Sequence, residues 1–304
     1  MQKPKVLLIG GPTGVGKTKL SLICAKVLNG EIISADSVQV YKGLNIGSAK
    51  ISFNEMQNVT HHFIDILNPN EAFDVDTFRK KAHELIIKLN SEGKLPIIVG
   101  GTGFYMRALL FPYTLGNSSK NTEVRKKYEL LLKEKGNEYV YNILEKLDKE
   151  SASKLHYNDT KRVIRALEIY ETTGKKKSEQ TLELESIYDY TLLALTRDRK
   201  ELYAVINERV EDMFKQGLVN EVEHLVKEDG LTSNLQSMSA IGYKEFFDYF
   251  NKTSTLEEVK EKIKQNTRNY AKRQLTYFKT MPEVKWVNLK DGIEPVITFL
   301  KQKF

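Results

Sequence analysis

A single cysteine, Cys24, in a chain of 304 residues rules out an intrachain disulfide and leaves too few thiols for a cysteine-rich zinc module. It falls on the apolar face of the first predicted helix and reads as a core residue. Long hydrophobic runs are missing as well. No stretch is long enough to span a bilayer, and Met1-Gln2-Lys3-Pro4 leads straight into a predicted strand, so neither a membrane anchor nor a signal peptide is expected. Together these absences point to the cytoplasm. Acidic residues are outnumbered, 40 Asp and Glu against 47 Lys and Arg, for a net charge of +7. Such a balance indicates a polyanionic partner only where the cations gather on one surface. The length suffices for a sizeable core, and for a main domain with a smaller one.

What is present begins at Val6-Leu7-Leu8-Ile9, a continuous apolar run of the kind that forms a strand buried on both faces. It ends in Gly11-Pro12-Thr13-Gly14-Val15-Gly16-Lys17-Thr18, which matches the pattern G-x-x-x-x-G-K-S/T. Leu20, Ile23, Cys24, Val27 and Leu28 follow at helical spacing. Strand, glycine-rich turn and helix therefore come in the order a phosphate-binding loop requires. Glycines let backbone N–H groups converge on an anion, and the helix N-terminus adds partial positive charge. Lys17 is placed to reach an outer phosphate, and the Thr18 hydroxyl is the candidate ligand for Mg²⁺.

A second strand is expected at Glu31–Ala35 and ends at Asp36-Ser37-Val38-Gln39. Ligands of open α/β sheets sit beyond the carboxyl ends of strands, so Asp36 should lie near the phosphate loop, as a turn former, a ligand of metal-bound water or a general base. His61–Ile66 reads as a short strand. Adjacent strand residues point to opposite faces, so His61 and His62 are not expected to share a metal ion. Asp74 is the N-cap expected for a helix over 75–90, and Leu95–Val99 is a third strand closing on Gly100-Gly101-Thr102-Gly103. Thr102 is there either an N-capping turn residue or a ligand contact, ahead of a helix over 104–110.

From about Asn117 to Ser186 strand-like runs cease, and the pattern predicts helices over 121–135, 138–148 and 159–171. This segment reads as a helical insertion. Asp159 is the expected N-cap of its last helix. Arg162 and Arg165, one turn apart, form a solvated face or a phosphate contact. Tyr190–Leu195 returns the chain to the sheet, Arg199–Phe214 is helical and carries Arg209, and Leu256–Lys279 is one long basic helix. Lys264, Arg268 and Lys272 recur every fourth residue along it, with Tyr270, Tyr277 and Phe278 interleaved. Basic residues mixed with aromatics suit a nucleic-acid backbone and unstacked bases. Trp286, in a short apolar stretch beyond, reads as packing.

These pieces resemble the tRNA dimethylallyltransferase family, also called tRNA isopentenyltransferases, over essentially the whole length. The resemblance rests on the loop Gly11–Thr18, the block Ser34–Lys50 around Asp36-Ser37, His61–Asp65 and Val99–Gly103. Asp159–Glu168, Arg209-Val210 with Met213 and Gly217-Leu218, Ile241-Gly242-Tyr243 and Thr267–Gln274 complete it. With no zinc-finger tail of the kind some eukaryotic members carry, it is similar to the bacterial form.

The resemblance implies an α/β fold: a P-loop NTPase-like core with a mostly parallel sheet flanked by helices, built from residues 1–116 and 187–304, plus an all-helical insertion domain at 117–186. It implies transfer of a dimethylallyl group from dimethylallyl diphosphate to the exocyclic amine of the adenosine just 3′ of the anticodon in tRNA, by a cytoplasmic monomer using Mg²⁺. The loop from Gly11 to Thr18, with Arg209, would hold the diphosphate. Asp36 resembles the base that takes the amine proton, with Thr102 as its partner at the reacting groups. Ser37, Val38, Gln39, Gly242 and Tyr243 would touch the target nucleotide region, and Lys161, Arg162, Arg165, Arg268, Lys272 and Arg273 would grip the anticodon stem-loop. A small-molecule P-loop kinase and an adenylate isopentenyltransferase share parts of this pattern. The first has no use for a basic C-terminal helix, and the second none for an RNA-gripping insertion.

Overall fold

The computed structural model describes residues 3–111, 121–179 and 185–304. The chain divides into two compact units, Met1–Leu110 with Ile187–Phe304, and Phe111–Ser186. The start expected for the insertion, residue 117, lies outside the described residues.

The first unit is built on six strands: β1 (Lys5–Gly10), β2 (Gly30–Ser34), β3 (His61–His62), β4 (Leu95–Val99), β5 (Asp189–Thr196) and β6 (Val284–Asn288). They form one sheet in the order β3-β2-β4-β1-β5-β6, every neighbouring pair parallel. The apolar run Val6–Ile9 is fully buried in β1, between β4 and β5, which is why it does not alternate with polar residues. Helices α1 (Lys17–Val27), α2 (Val75–Ser91) and α3 (Gly103–Leu110) belong to this unit. Asp74 caps α2, its side chain accepting from the Thr77 amide at 2.8 Å.

The second unit contains α4 (Thr122–Lys135), α5 (Asn137–Leu147), α6 (Lys149–Ser153) and α7 (Thr160–Thr173). Tyr128, Val140, Leu144, Val163, Ile164 and Leu167 make its core. Back in the first unit come α8 (Arg199–Lys215), α9 (Leu218–Lys227), α10 (Phe246–Phe250), α11 (Leu256–Phe278) and α12 (Glu294–Lys303). The chain turns from α8 to α9 at Gly217, whose φ of 97° lies in the left-handed region.

Several elements differ from their sequence pattern. Only His61 and His62 pair as strand, because Phe63 and Asp65 take φ of 64° and 53° and break the extended backbone. The two imidazoles engage different partners, His61 Nδ1 the Val59 carbonyl at 2.8 Å and His62 Nε2 the Glu31 carboxylate at 2.7 Å. The apolar stretch around Trp286 is an edge strand, and the indole is 41% exposed rather than packed inside. Asp159 stands at the N-cap of α7 without bonding its amides; its carboxylate pairs with Arg162 at 3.3 Å.

The second unit is pinned by Glu168, which is 0% exposed. Its carboxylate accepts from the Asn121 amide at 2.7 Å, from Arg125 twice at 2.9 Å and from Arg165 at 2.7 Å. Burial alone would raise its pKa, but the hydrogen bonds from Arg125 and Arg165 outweigh burial and hold it below the ordinary glutamate value. Glu168→Ala removes the buried carboxylate that both guanidiniums share and is expected to cost this unit about 3 kcal/mol, read from urea denaturation. In the unaltered chain the contribution is complete above about pH 4.3, the unfolded glutamate pKa, and is lost as pH falls through the lower native value.

Candidate active site

The loops after β1, β2 and β4 leave the sheet at its carboxyl-terminal edge, where an open parallel sheet binds ligands. The loop after β1 turns through Gly11 at φ 132° and reaches α1 through Gly16 at φ 102°. A Cβ on Gly11 would lie 2.7 Å from the Leu195 carbonyl of β5, so only glycine fits there. Lys17 Nζ donates to the carbonyls of Gly11 and Pro12 at 2.9 and 2.8 Å. Burial, reinforced by the neighbouring Arg209 guanidinium and opposed by Asp36, brings its pKa down to about 7. Arg209, on α8, donates to the Thr13 hydroxyl at 3.1 Å and is itself desolvated by burial. Two basic groups held close together and partly desolvated form a site for a multiply charged anion. Thr18, in the first turn of α1, is exposed and lines the same cavity.

Asp36 follows β2. Its Oδ1 accepts from the amides of Val38 at 2.8 Å and Gln39 at 3.3 Å, so the residue is a turn former and lines the cavity as well. The turns after β2 and β4 are pressed together: a Cβ on Gly100 would lie 2.2 Å from the Ala35 carbonyl. Thr102, just ahead of α3, is brought there beside Tyr270 of α11, whose hydroxyl lies close to the Thr102 and Gln274 side chains. Burial first, then the charge of Asp36, raises the Tyr270 pKa and keeps the phenol protonated.

Gln274 is the residue whose position the sequence gives least reason to expect. It is 6% exposed, accepts from the Thr13 amide at 3.0 Å and donates to the Gly101 carbonyl at 3.0 Å. One side chain on α11 thus fastens two of the three loops. The cavity they enclose measures 740 Å³.

The RNA-facing expectations divide. Tyr243 is 0% exposed, its hydroxyl donating to Glu221 at 2.9 Å, so its side chain is not a nucleotide contact. It shapes the wall instead: a Cβ on Gly47 would meet its ring at 2.5 Å. Glu221 on α9 also accepts from the amides of Asn45, Ile46 and Gly47 at 3.1, 2.8 and 3.1 Å, and so holds the loop that carries Ser48 and Ala49 into the cavity. Gly242 lines the cavity, its amide held by Glu245 at 2.9 Å.

The stripe on α11 is not uniformly available. Lys264 is paired with Glu211 and Glu261 at 2.5 and 2.6 Å, and Arg268 donates to Asn207 at 2.6 Å. Lys272 and Arg273 are exposed, and Arg273 reaches the cavity wall. A helical period identifies a face; it does not identify carboxylates arriving from a helix more than fifty residues away. In the second unit Lys161 and Arg162 are exposed, while Arg165 is engaged with Glu168. Lys177 has its pKa lowered by burial and by the charges of Arg162 and Arg165, so three cations repel one another there.

The family model described as "IPP transferase" matches residues 39–281. The tRNA dimethylallyltransferases of Bacillus cereus (strain ATCC 14579) and Bacillus anthracis are each 47% identical over 294 residues, 96% of this chain and 92% and 93% of theirs. The crystal structure of a tRNA isopentenylpyrophosphate transferase from Bacillus halodurans superposes with TM-score 0.75 at 41% identity, covering 99% of this chain and 97% of that one. A eukaryotic dimethylallyltransferase described as acting on tRNA superposes with TM-score 0.80 at 32% identity, covering 93% of this chain and 73% of that one. Matched by the family model over most of its length and by relatives nearly end to end, this chain belongs to the IPP transferase family of tRNA dimethylallyltransferases.

Proposed function

We propose that this enzyme transfers the dimethylallyl group of dimethylallyl diphosphate to the exocyclic N6 amine of the adenosine 3′ to the anticodon of tRNA. The observation that carries this reading is one cavity lined by a desolvated pair, Lys17 and Arg209, and by a second pair, Asp36 and Tyr270, the latter with Thr102 beside it. The first pair suits a leaving diphosphate, the second a nucleophile that must lose a proton. In the reaction the allylic C1–O bond breaks, a C1–N6 bond forms, and diphosphate departs with the bonding electrons. The N6 proton passes to the Asp36 carboxylate, because an adenine amine is a poor nucleophile until its proton is taken. Lys17, Arg209 and the amides of residues 14–18 oppose the charge that grows on the leaving group.

The site fits a magnesium ion in one way. Among the described residues no cluster of three His, Cys, Asp or Glu could hold a metal. The Thr18 hydroxyl would therefore hold Mg²⁺ together with the donor's own phosphate oxygens, the manner in which this ion is usually bound. When bound it adds positive charge at the leaving group.

The target base must leave its stack to enter a cavity of this kind, so RNA is taken with the nucleotide flipped out. Ser37, Val38 and Gln39 line its polar wall. Lys161, Arg162 and Arg165 of the second unit, and Lys272 and Arg273 of α11 with Arg268 behind them, supply cations for the phosphates of the anticodon stem-loop. No helix among the described residues is long and apolar enough to cross a membrane, in keeping with a tRNA-modifying enzyme of the cytoplasm. We take the active form to be a monomer.

Labelled dimethylallyl diphosphate with Mg²⁺ is expected to label an unmodified anticodon stem-loop and not AMP. Label on AMP would make the enzyme an adenylate prenyltransferase, and phosphate transfer from ATP to a small molecule would make it a kinase. Asp36→Asn keeps an Oδ1 acceptor for the turn and removes the base. Its single-turnover rate should fall about 10²–10⁴-fold with RNA affinity little changed; lost RNA binding would assign Asp36 a different role. Because Lys17 titrates near 7 in the free protein and a bound diphosphate raises that value, donor binding is strongest below pH 7 and weakens as pH rises above it. Calorimetry at pH 8 in buffers of different ionisation enthalpy should show uptake of close to one proton, absent in Lys17→Met.

A further inference from the structure

The cavity lining holds the apolar side chains Val210, Met213, Ile241 and Ile263 among polar ones such as Ser239, Lys244 and Thr267, and the order along it is fixed by α8 and α11. These helices run antiparallel: Arg268 bonds Asn207 at 2.6 Å, and Lys264 pairs with Glu211 at 2.5 Å. At the near end Arg209 and Gln274 touch the phosphate loop at Thr13, and a Cβ on Gly14 would lie 3.5 Å from Ile206. From Gln274 back to Ile263 α11 travels eleven residues, about 16 Å, away from that loop. On α8, residues 206, 209, 210 and 213 share one face, and all four line the cavity. Beyond Arg209 that face presents only Val210 and Met213.

We infer that Val210, Met213, Ile241 and Ile263 form the compartment for the donor's hydrocarbon tail, and that Met213 and Ile241 set its length limit at a single five-carbon isoprene unit. This rests on the diphosphate-donor reading proposed above. Anchored by its diphosphate at Arg209, a donor lying along α8 meets Met213 four residues further on, about 6 Å, which is the reach of one isoprene unit. Val210 and Ile263 are 1% and 2% exposed and form fixed sides, while Met213 and Ile241, half-buried lining residues, are the side chains assigned to the far end. That end has little room to give. A Cβ on Gly242 would lie 2.9 Å from the Gly47 carbonyl, so the loop after Ile241 is packed directly on the loop that Glu221 holds. A tail with no polar atoms gains by this lining, and a tail one unit longer has to displace the methionine or the isoleucine.

The test compares geranyl diphosphate, the ten-carbon donor, with dimethylallyl diphosphate on an unmodified anticodon stem-loop. The unaltered enzyme should use the longer donor poorly. In Met213→Ala, and separately in Ile241→Ala, the ratio of kcat/KM for geranyl over dimethylallyl donor should rise at least about 10-fold, in line with the discrimination a few methylenes give. A general loosening of the protein would lower both donors together and leave the ratio where it was. Ile241 lies in a loop outside the helices, so its variant remains informative where Met213→Ala proves unstable. Equal use of both donors by the unaltered enzyme overturns the inference, as does an unmoved ratio in a variant that still transfers dimethylallyl. Absence of dimethylallyl transfer in the unaltered enzyme is a separate result, which removes the function reading and the inference with it.

Discussion

The carboxamide of Gln274 is the constraint on which the catalytic geometry depends. An amide side chain offers an acceptor and a donor a fixed distance apart, and here the acceptor takes the Thr13 amide while the donor serves the Gly101 carbonyl. Those two backbone groups belong to loops on neighbouring strands, β1 and β4, and neither loop has a partner in its own strand ladder at that point. Left without Gln274, the Thr13 N–H would lack its partner, at a cost of roughly 1–3 kcal/mol, and the Gly101 carbonyl would keep only the Gly103 amide at 3.0 Å. Gly101 has no side chain for a related reason: a Cβ there would fall 2.0 Å from the Gln274 nitrogen. Thr13 then passes the constraint on, since its hydroxyl receives Arg209. Glutamine, glycine, threonine and arginine, from four separate parts of the chain, thus fix one another.

Around this frame the electrostatics are arranged to favour an incoming anion. Lys17 and Arg209 are both desolvated, so holding both positive is costly in the free protein and is relieved by a diphosphate. The same pattern occurs independently in the second unit, where Lys177 is depressed by burial and then by Arg162 and Arg165. There Glu168 takes up part of the charge of Arg165, so Arg162 and Lys161 are left as the most exposed cations of α7. Buried acid, half-buried arginine and exposed lysine form a gradient from core to surface. It lets one helix both close its own core and present positive charge to solvent.

How much of this could be read from the sequence depended on the distance over which each feature is determined. The phosphate loop is local: strand, turn and helix lie within residues 5–27, and spacing alone locates them. The parallel sheet is legible as apolar runs, but its order β3-β2-β4-β1-β5-β6 is not, because pairing partners are far apart in the chain. The failures share this cause. Tyr243 looked available because a motif gives no burial, and its partner Glu221 is on another helix. Lys264 fits a basic stripe by period, yet Glu211 from α8 neutralises it. Gln274 was visible as one more polar residue on a basic helix; that it faces inward follows only from the packing of α11 over the loops. Helix α9, which supplies Glu221, begins directly after the glycine that ends α8 and gave no separate signal.

Asp36 illustrates why a structural and a chemical reading of one residue need not compete. As a turn former its Oδ1 accepts two backbone amides, and this fixes the plane of the carboxylate. A general base needs that same fixity, because proton transfer is efficient only when the acceptor is already within hydrogen-bond reach of the group it serves. The amides also share the negative charge through one oxygen, while Lys17 lies near enough to feel the carboxylate. A more mobile aspartate would spend part of its time paired with that lysine and away from the substrate. By committing one oxygen to the turn, the fold keeps the side chain on the cavity wall, where Ser37, Val38 and Gln39 follow it in order. The bonds that make Asp36 look merely structural are the ones that would suit it to the base role proposed for it.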